Sequence, residues 1–266
     1  MDPSTKLVFD SPLLRVHHDG RVERFYGTET TLPGFDAVTR VSSKDVVVNG
    51  ATGVFARLYI PDHLLTAEHK KVPILVYFHG GGFVVDSAVS PAYHRYLNSV
   101  ASKAGVLAVS VNYRLAPEHP LPAAYDDSWA ALSGAADPWL SGHGDTSRVF
   151  LAGDSGGANI VHNIAIMAGA RGGLPSGVSL AGAILLHPMF SGKEPIDGES
   201  RETREMTEKL WLLISPGSTE GLDDPRLNPM ADERRACRTW YAGSCLFARP
   251  REITTRGQGP RRTTRR

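Results

Sequence analysis

Largely apolar runs recur along the chain at 72–78, 106–112, 148–152 and 180–187, each rich in Val, Ile, Leu or Ala and closed by a polar or glycine-containing turn. Continuous apolar runs of this length predict strands buried on both faces, as in a parallel sheet. Between them, residues 90–104, 123–135 and 155–168 carry apolar positions at helical spacing. The first of these segments has Pro91 at its opening turn and Gly105 as its stop. Strand and helix therefore alternate, which predicts an α/β fold built on a mostly parallel, doubly wound sheet. Upstream, 44–49 and 54–60 read as two antiparallel edge strands joined through 50–53 and closed by Pro61. Residues 13–25 predict a short strand or arm turning at Asp19-Gly20 and lying outside the core. Residues 190–221 are polar and charge-rich apart from 210–214, and predict an irregular insertion.

Composition sharpens this in two places. A chain of 266 residues with 41% hydrophobic content can bury one sizeable core, which implies a single globular unit. Its net charge of +1 hides an asymmetry: residues 233–266 hold ten Arg and two Glu, whereas the rest holds 19 basic and 26 acidic residues. The body, 1–232, is thus an acidic domain, and 233–266 reads as a disordered Arg-rich tail with no strand of its own. Met1 to Asp10 carry no leader pattern, and no apolar run approaches the ~20 residues that span a bilayer. The two cysteines, Cys237 and Cys245, both lie in the tail. A reducing cytoplasm, no membrane partner and no nucleic-acid partner are the expectations. No histidine or cysteine cluster has metal-ligand spacing, so no metal or other cofactor is expected.

The chemistry concentrates in two glycine-rich turns that each follow an apolar strand. At 153–157 the sequence is Gly-Asp-Ser-Gly-Gly, a G-x-S-x-G elbow between strand and helix, where small neighbours let Ser155 project above the sheet. At 79–82 it is His-Gly-Gly-Gly, a turn of the kind that donates backbone N–H groups to an oxyanion. Ser155 is the candidate nucleophile; Gly81, Gly82 and Gly156 are the candidate oxyanion donors. His79 and Gly80 are expected to shape the loop, with His79 anchoring it rather than carrying protons. Asp154 is expected to serve turn or loop hydrogen bonding. His162 is expected to pack, and His17, His18, His63, His69 and His143 to lie at the surface or in loops.

HGGGF at 79–83, YRLAPEHPLPAAYDD at 113–127, GDSGGANI at 153–160 and DPRLNPM at 224–230 together resemble plant carboxylesterases of the hormone-sensitive-lipase branch of the α/β hydrolases. The likeness spans roughly 7–231. It implies that the strands before His79 and Ser155 are neighbours, and that 1–38 and 190–221 jointly cap an acyl-binding cavity. His94, His119 and His187 fall in segments that this family uses structurally. A small-molecule ester is the implied substrate. A dehydratase on the same scaffold, or a binder resembling the gibberellin receptor, is an alternative.

One part of the pattern is missing. The triad of this fold runs Ser, then Asp or Glu, then His, yet the last histidine of the chain is His187 and the likeness stops at Met230. Asp223 and Asp224 precede the place where the acid would fall. The sheet is accordingly expected to lack its last strands, and hydrolysis to be impaired. The switch to Arg-rich sequence also has the character of translation out of register.

Overall fold

The computed structural model describes residues 6–65, 71–133, 137–196, 198–231 and 245–248. The chain opens with β1 (Leu7–Asp10), β2 (Leu14–His17) and β3 (Val22–Arg24), a small antiparallel sheet turning at Gly20, whose φ of +87° suits a residue without Cβ. β4 (Phe35–Asp36), β5 (Val41–Asn49) and β6 (Val54–Pro61) follow, then the single turn α1 (Asp62–Leu65). The alternating part comprises β7 (Val72–Phe78), α2 (Pro91–Ala104), β8 (Leu107–Asn112), α3 (Ala123–Leu132), α4 (Pro138–His143), β9 (Gly144–Asp154), α5 (Gly156–Arg171) and β10 (Leu180–Leu186). Helix α6 (Arg201–Ile214) and strand β11 (Cys245–Ala248) complete the described elements.

The main sheet has the order β11-β10-β9-β7-β8-β6-β5-β4. β8, β7, β9, β10 and β11 are parallel, and β6 runs antiparallel to both β5 and β8, so the hairpin expected at 44–60 forms the antiparallel flank. From β7 the chain moves outward to β8 and then returns past β7 to β9. In open α/β sheets ligands bind at the carboxyl ends of the strands that flank such a reversal, here β7 and β9. Helix α2 starts on Pro91 and ends on Gly105, whose φ of +62° accepts the left-handed cap.

The structure corrects four expectations. The 13–25 segment is not outside the core: Leu14 and Val16 are buried among the central apolar side chains, because the three-stranded sheet folds one face inward. His17, expected at the surface, is buried on β2 beside Glu23. The 190–221 insertion is not irregular throughout. Ser200 caps α6 by accepting the Thr203 N–H at 3.1 Å, and Leu210, Trp211 and Ile214 supply the i, i+1, i+4 apolar stripe that packs on the core. Finally, the 233–266 segment contributes β11, whose apolar Cys-Leu-Phe-Ala extends the sheet past β10. That short run was masked by the arginines around it. The remainder of the expected tail lies outside the described residues.

Candidate functional site

β7 and β9 pair in parallel with Phe78 opposite Gly153, so the turns that follow them, 79–82 and 153–157, emerge side by side. Close backbone packing explains the glycines at 153 and 157. A Cβ on Gly157 would sit 2.5 Å from the His79 carbonyl oxygen and nearer still to that of Phe78, and one on Gly153 would sit 2.5 Å from Gly157 itself. Ser155 has φ +49° and ψ −114°, a conformation that costs a side-chain-bearing residue about 1–3 kcal/mol. Three backbone hydrogen bonds hold it there. Its N–H donates to Leu186 at 2.9 Å, and its carbonyl accepts from Asn159 at 3.1 Å and Met189 at 3.0 Å.

The two turns meet at Gly156. A Cβ there would lie 3.3 Å from the backbone N of Phe83, the residue that ends the glycine loop. Among the described residues, the N–H groups of Gly81, Gly82 and Gly156 have no internal acceptor. Gly81 and Gly82 adopt φ of +90° and +59°, and a Cβ on Gly82 would meet Leu210 of α6 at 3.1 Å. Helix α6 therefore packs through Leu210 against the loop at Gly82.

His79 is fully buried, stacked on Tyr113 at 4.2 Å, with Nδ1 2.9 Å from the Gly80 carbonyl. Burial lowers its pKa to about 4, so it stays neutral and shapes the loop from beneath. Asp154 does not face the serine hydroxyl. Its carboxylate accepts from Tyr77 at 2.9 Å and Tyr93 at 2.8 Å, and the Tyr93 hydroxyl in turn accepts the Gly80 N–H at 2.8 Å. Burial, then the Asp154 charge, pushes both phenols well above their ordinary range, which keeps them donors. The elbow and the glycine loop are thus joined through a tyrosine on α2. Sequence reasoning had no signal for Tyr77 or Tyr93, since neither lies in a motif.

Asn159 is the other residue whose role the sequence did not reveal. Fully buried one turn into α5, it accepts from Tyr125 at 2.8 Å and donates to the carbonyls of Met189 at 3.0 Å and Arg226 at 2.7 Å. It pins the segments after β10 and after α6 to the elbow helix. Asn159→Ala should destabilise the chain by about 2 kcal/mol, because a buried hydroxyl and a carbonyl lose their partner. Urea denaturation checks this, and an unchanged midpoint would show that water replaces the amide.

No described histidine or carboxylate hydrogen-bonds the Ser155 hydroxyl. His162 is buried edge-on against Phe190 at 5.1 Å, with its pKa lowered to about 4 by burial. His187 follows β10 directly, with φ +46°. Asp223 pairs with Lys193 at 3.0 Å. Asp224 is buried against Arg226; burial raises its pKa, but the hydrogen bonds from Arg226 and Ser218 outweigh that and bring it to about 2. Both carboxylates are thus engaged elsewhere. A cavity of about 1010 Å³ is bounded by Phe190, Lys193, Ile196, Asp223 and Met230. None of its lining residues belongs to either glycine motif. Among the described residues no group of three or more metal-ligating side chains gathers, and no helix is long and apolar enough to cross a membrane.

A family model described as the α/β hydrolase fold matches residues 75–244. Tuliposide A-converting enzyme 2, chloroplastic, of Tulipa gesneriana is 48% identical over 237 residues, which cover 85% of this chain and 59% of that enzyme. The chain therefore spans about three fifths of that relative's length. Probable carboxylesterase 2 of Arabidopsis thaliana is 44% identical over 226 residues, covering 83% of this chain and 70% of that protein. Among solved structures, a hyperthermophilic esterase from the archaeon Pyrobaculum calidifontis superposes with a TM-score of 0.58 at 29% identity, over 71% of this chain and 60% of that one.

Proposed function

The chain belongs to the α/β-hydrolase family, in its carboxylesterase-like part, and from that premise we propose that its crevice takes a small carboxylic ester and presents the carbonyl to Ser155. In this reading the Ser155 Oγ attacks the carbonyl carbon, and the developing oxyanion is received by the N–H groups of Gly81, Gly82 and Gly156. One such donor is typically worth about 3 kcal/mol in the transition state. Residues 190–221, through Leu210, and the N-terminal 1–38 cover the bound acyl group. The observation that carries the reading is the approach of Gly156 to the Phe83 backbone, which gathers three amides without internal acceptors beside a strained serine.

The attack also needs a proton acceptor, and the chain has no histidine after His187. Loss of the histidine from such a unit costs on the order of 10⁶ in kcat, while oxyanion donors alone retain ~10³–10⁴ over water. The chain by itself is therefore a very slow esterase. Imidazole in solution can substitute for the missing ring, which gives the test. p-Nitrophenyl acetate hydrolysis should show an imidazole-dependent increment over the imidazole blank, and Ser155→Ala should abolish it. Equal rates for the two proteins would remove Ser155 as nucleophile. Rapid turnover without imidazole would reveal a proton acceptor within the chain.

A further inference from the structure

Arg24 ends β3, about fifty residues before the 75–244 stretch that the family model matches. Its guanidinium nevertheless reaches the loop that carries the candidate oxyanion donors. Nε donates to the Val84 carbonyl at 2.6 Å, and Nη2 donates to the Ala116 carbonyl at 3.0 Å. The fork also grips both carboxylate oxygens of Glu118, at 2.8 and 2.7 Å. One side chain, 21% exposed, joins three segments far apart in sequence.

The mechanical consequence lies in the loop itself. The N–H groups of Val84 and Val85 both donate to the Gly81 carbonyl, at 3.0 and 3.1 Å, so 81–85 is one closed turn. Whatever fixes Val84 fixes the plane of the Gly81–Gly82 amides. The upstream end of the turn is held at Gly80 by Tyr93. The downstream end is held by the Ala116 N–H on the Phe83 carbonyl at 2.9 Å and by the arm: Arg24 at Val84, close backbone packing of Gly27 on Asp86, and the Thr31 N–H on the Val89 carbonyl at 2.8 Å. Only the planar fork of arginine can serve two carbonyls and a carboxylate together; a lysine ammonium keeps the charge but not the geometry.

We propose that Arg24 is a positioning residue for the candidate oxyanion loop, clamping Val84 to Ala116 and Glu118 so that the Gly81 and Gly82 amides stay aimed at the crevice. The proposal rests on the ester-hydrolase reading of that loop. Misaimed amides still admit substrate but stabilise the oxyanion less, so the loss falls on kcat rather than KM.

The experiment compares the full chain with Arg24→Lys and Arg24→Ala, by amide hydrogen exchange and by imidazole-assisted p-nitrophenyl acetate hydrolysis. Exchange over 79–86 should rise at least tenfold in both variants, that over 156–168 should not change, and the thermal midpoint of Arg24→Lys should match the parent. The imidazole-assisted kcat of Arg24→Lys should fall about tenfold at unchanged KM. Unchanged exchange over 79–86, a uniform rise across α5 and the central strands, or a loosened loop with unaltered kcat would each overturn the clamp. Should the parent chain lack Ser155-dependent turnover while the loop loosens as expected, the esterase reading fails and the clamp stands on exchange alone.

Discussion

Gly157→Ala should destabilise the chain by about 3 kcal/mol or more and abolish Ser155-dependent turnover, whereas Gly156→Ala, one residue away, should do neither. The added methyl at 157 would press on the backbone of Phe78 and His79 at 2.5 Å and less, against the 3.4 Å or more of an ordinary contact. A strand carbonyl cannot rotate aside as a side chain can. Helix α5 must therefore retreat from β7 by roughly an ångström, and eleven of its sixteen residues are buried. Overpacking a rigid site typically costs 1–3 kcal/mol and more where backbone is the obstacle. Ser155 precedes the first turn of α5, so it would move with the helix. At 156 the nearest atoms are Phe83 N at 3.3 Å and its ring at 3.4 Å, which can yield by tenths of an ångström. There the helix gains up to about 1 kcal/mol from alanine. Urea unfolding of both variants decides the matter, and a Gly157→Ala protein as stable as the parent would refute the packing argument.

Acid should weaken the fold well above the usual carboxylate range. His79 and His162 are both buried and both have pKa values lowered to about 4, chiefly by burial. In the unfolded chain each takes a proton near 6.5. Their contribution is fully present above pH 6.5 and is lost as the pH falls toward 4, because the unfolded state then binds protons that the native state refuses. At pH 5 the loss is about 2 kcal/mol for each ring, or about 4 together. A second loss follows between about pH 4 and 2, where Asp224, held low by Arg226, takes its proton. The urea midpoint at pH 5 should lie more than ~1 M below that at pH 7.5. His162→Phe should halve the difference, and a midpoint flat over this range would contradict the neutral state of both rings.

The amino-acid sequence by itself determined the alternation of strand and helix, the antiparallel hairpin at its flank and the two glycine turns on which the candidate site rests. These depend on local causes: an apolar run that must be buried on both faces, a proline that opens a helix, a glycine that admits positive φ. That the two turns are neighbours was implied only by the family resemblance, and the pairing of β7 with β9 in the folded sheet bears it out. The tertiary structure alone decided what holds the site. Tyr93 reaches Gly80 and Asp154 from α2, and Arg24 reaches Val84 and Glu118 across sixty and ninety-four residues. Such partners leave no periodicity or spacing, because a hydrogen bond between distant segments constrains only where the folded chain brings them. Helix α6 and strand β11 escaped for a related reason. The apolar residues of α6 are few among many charges and find burial only against a core already formed, while β11 depends on pairing with β10, a strand remote in sequence.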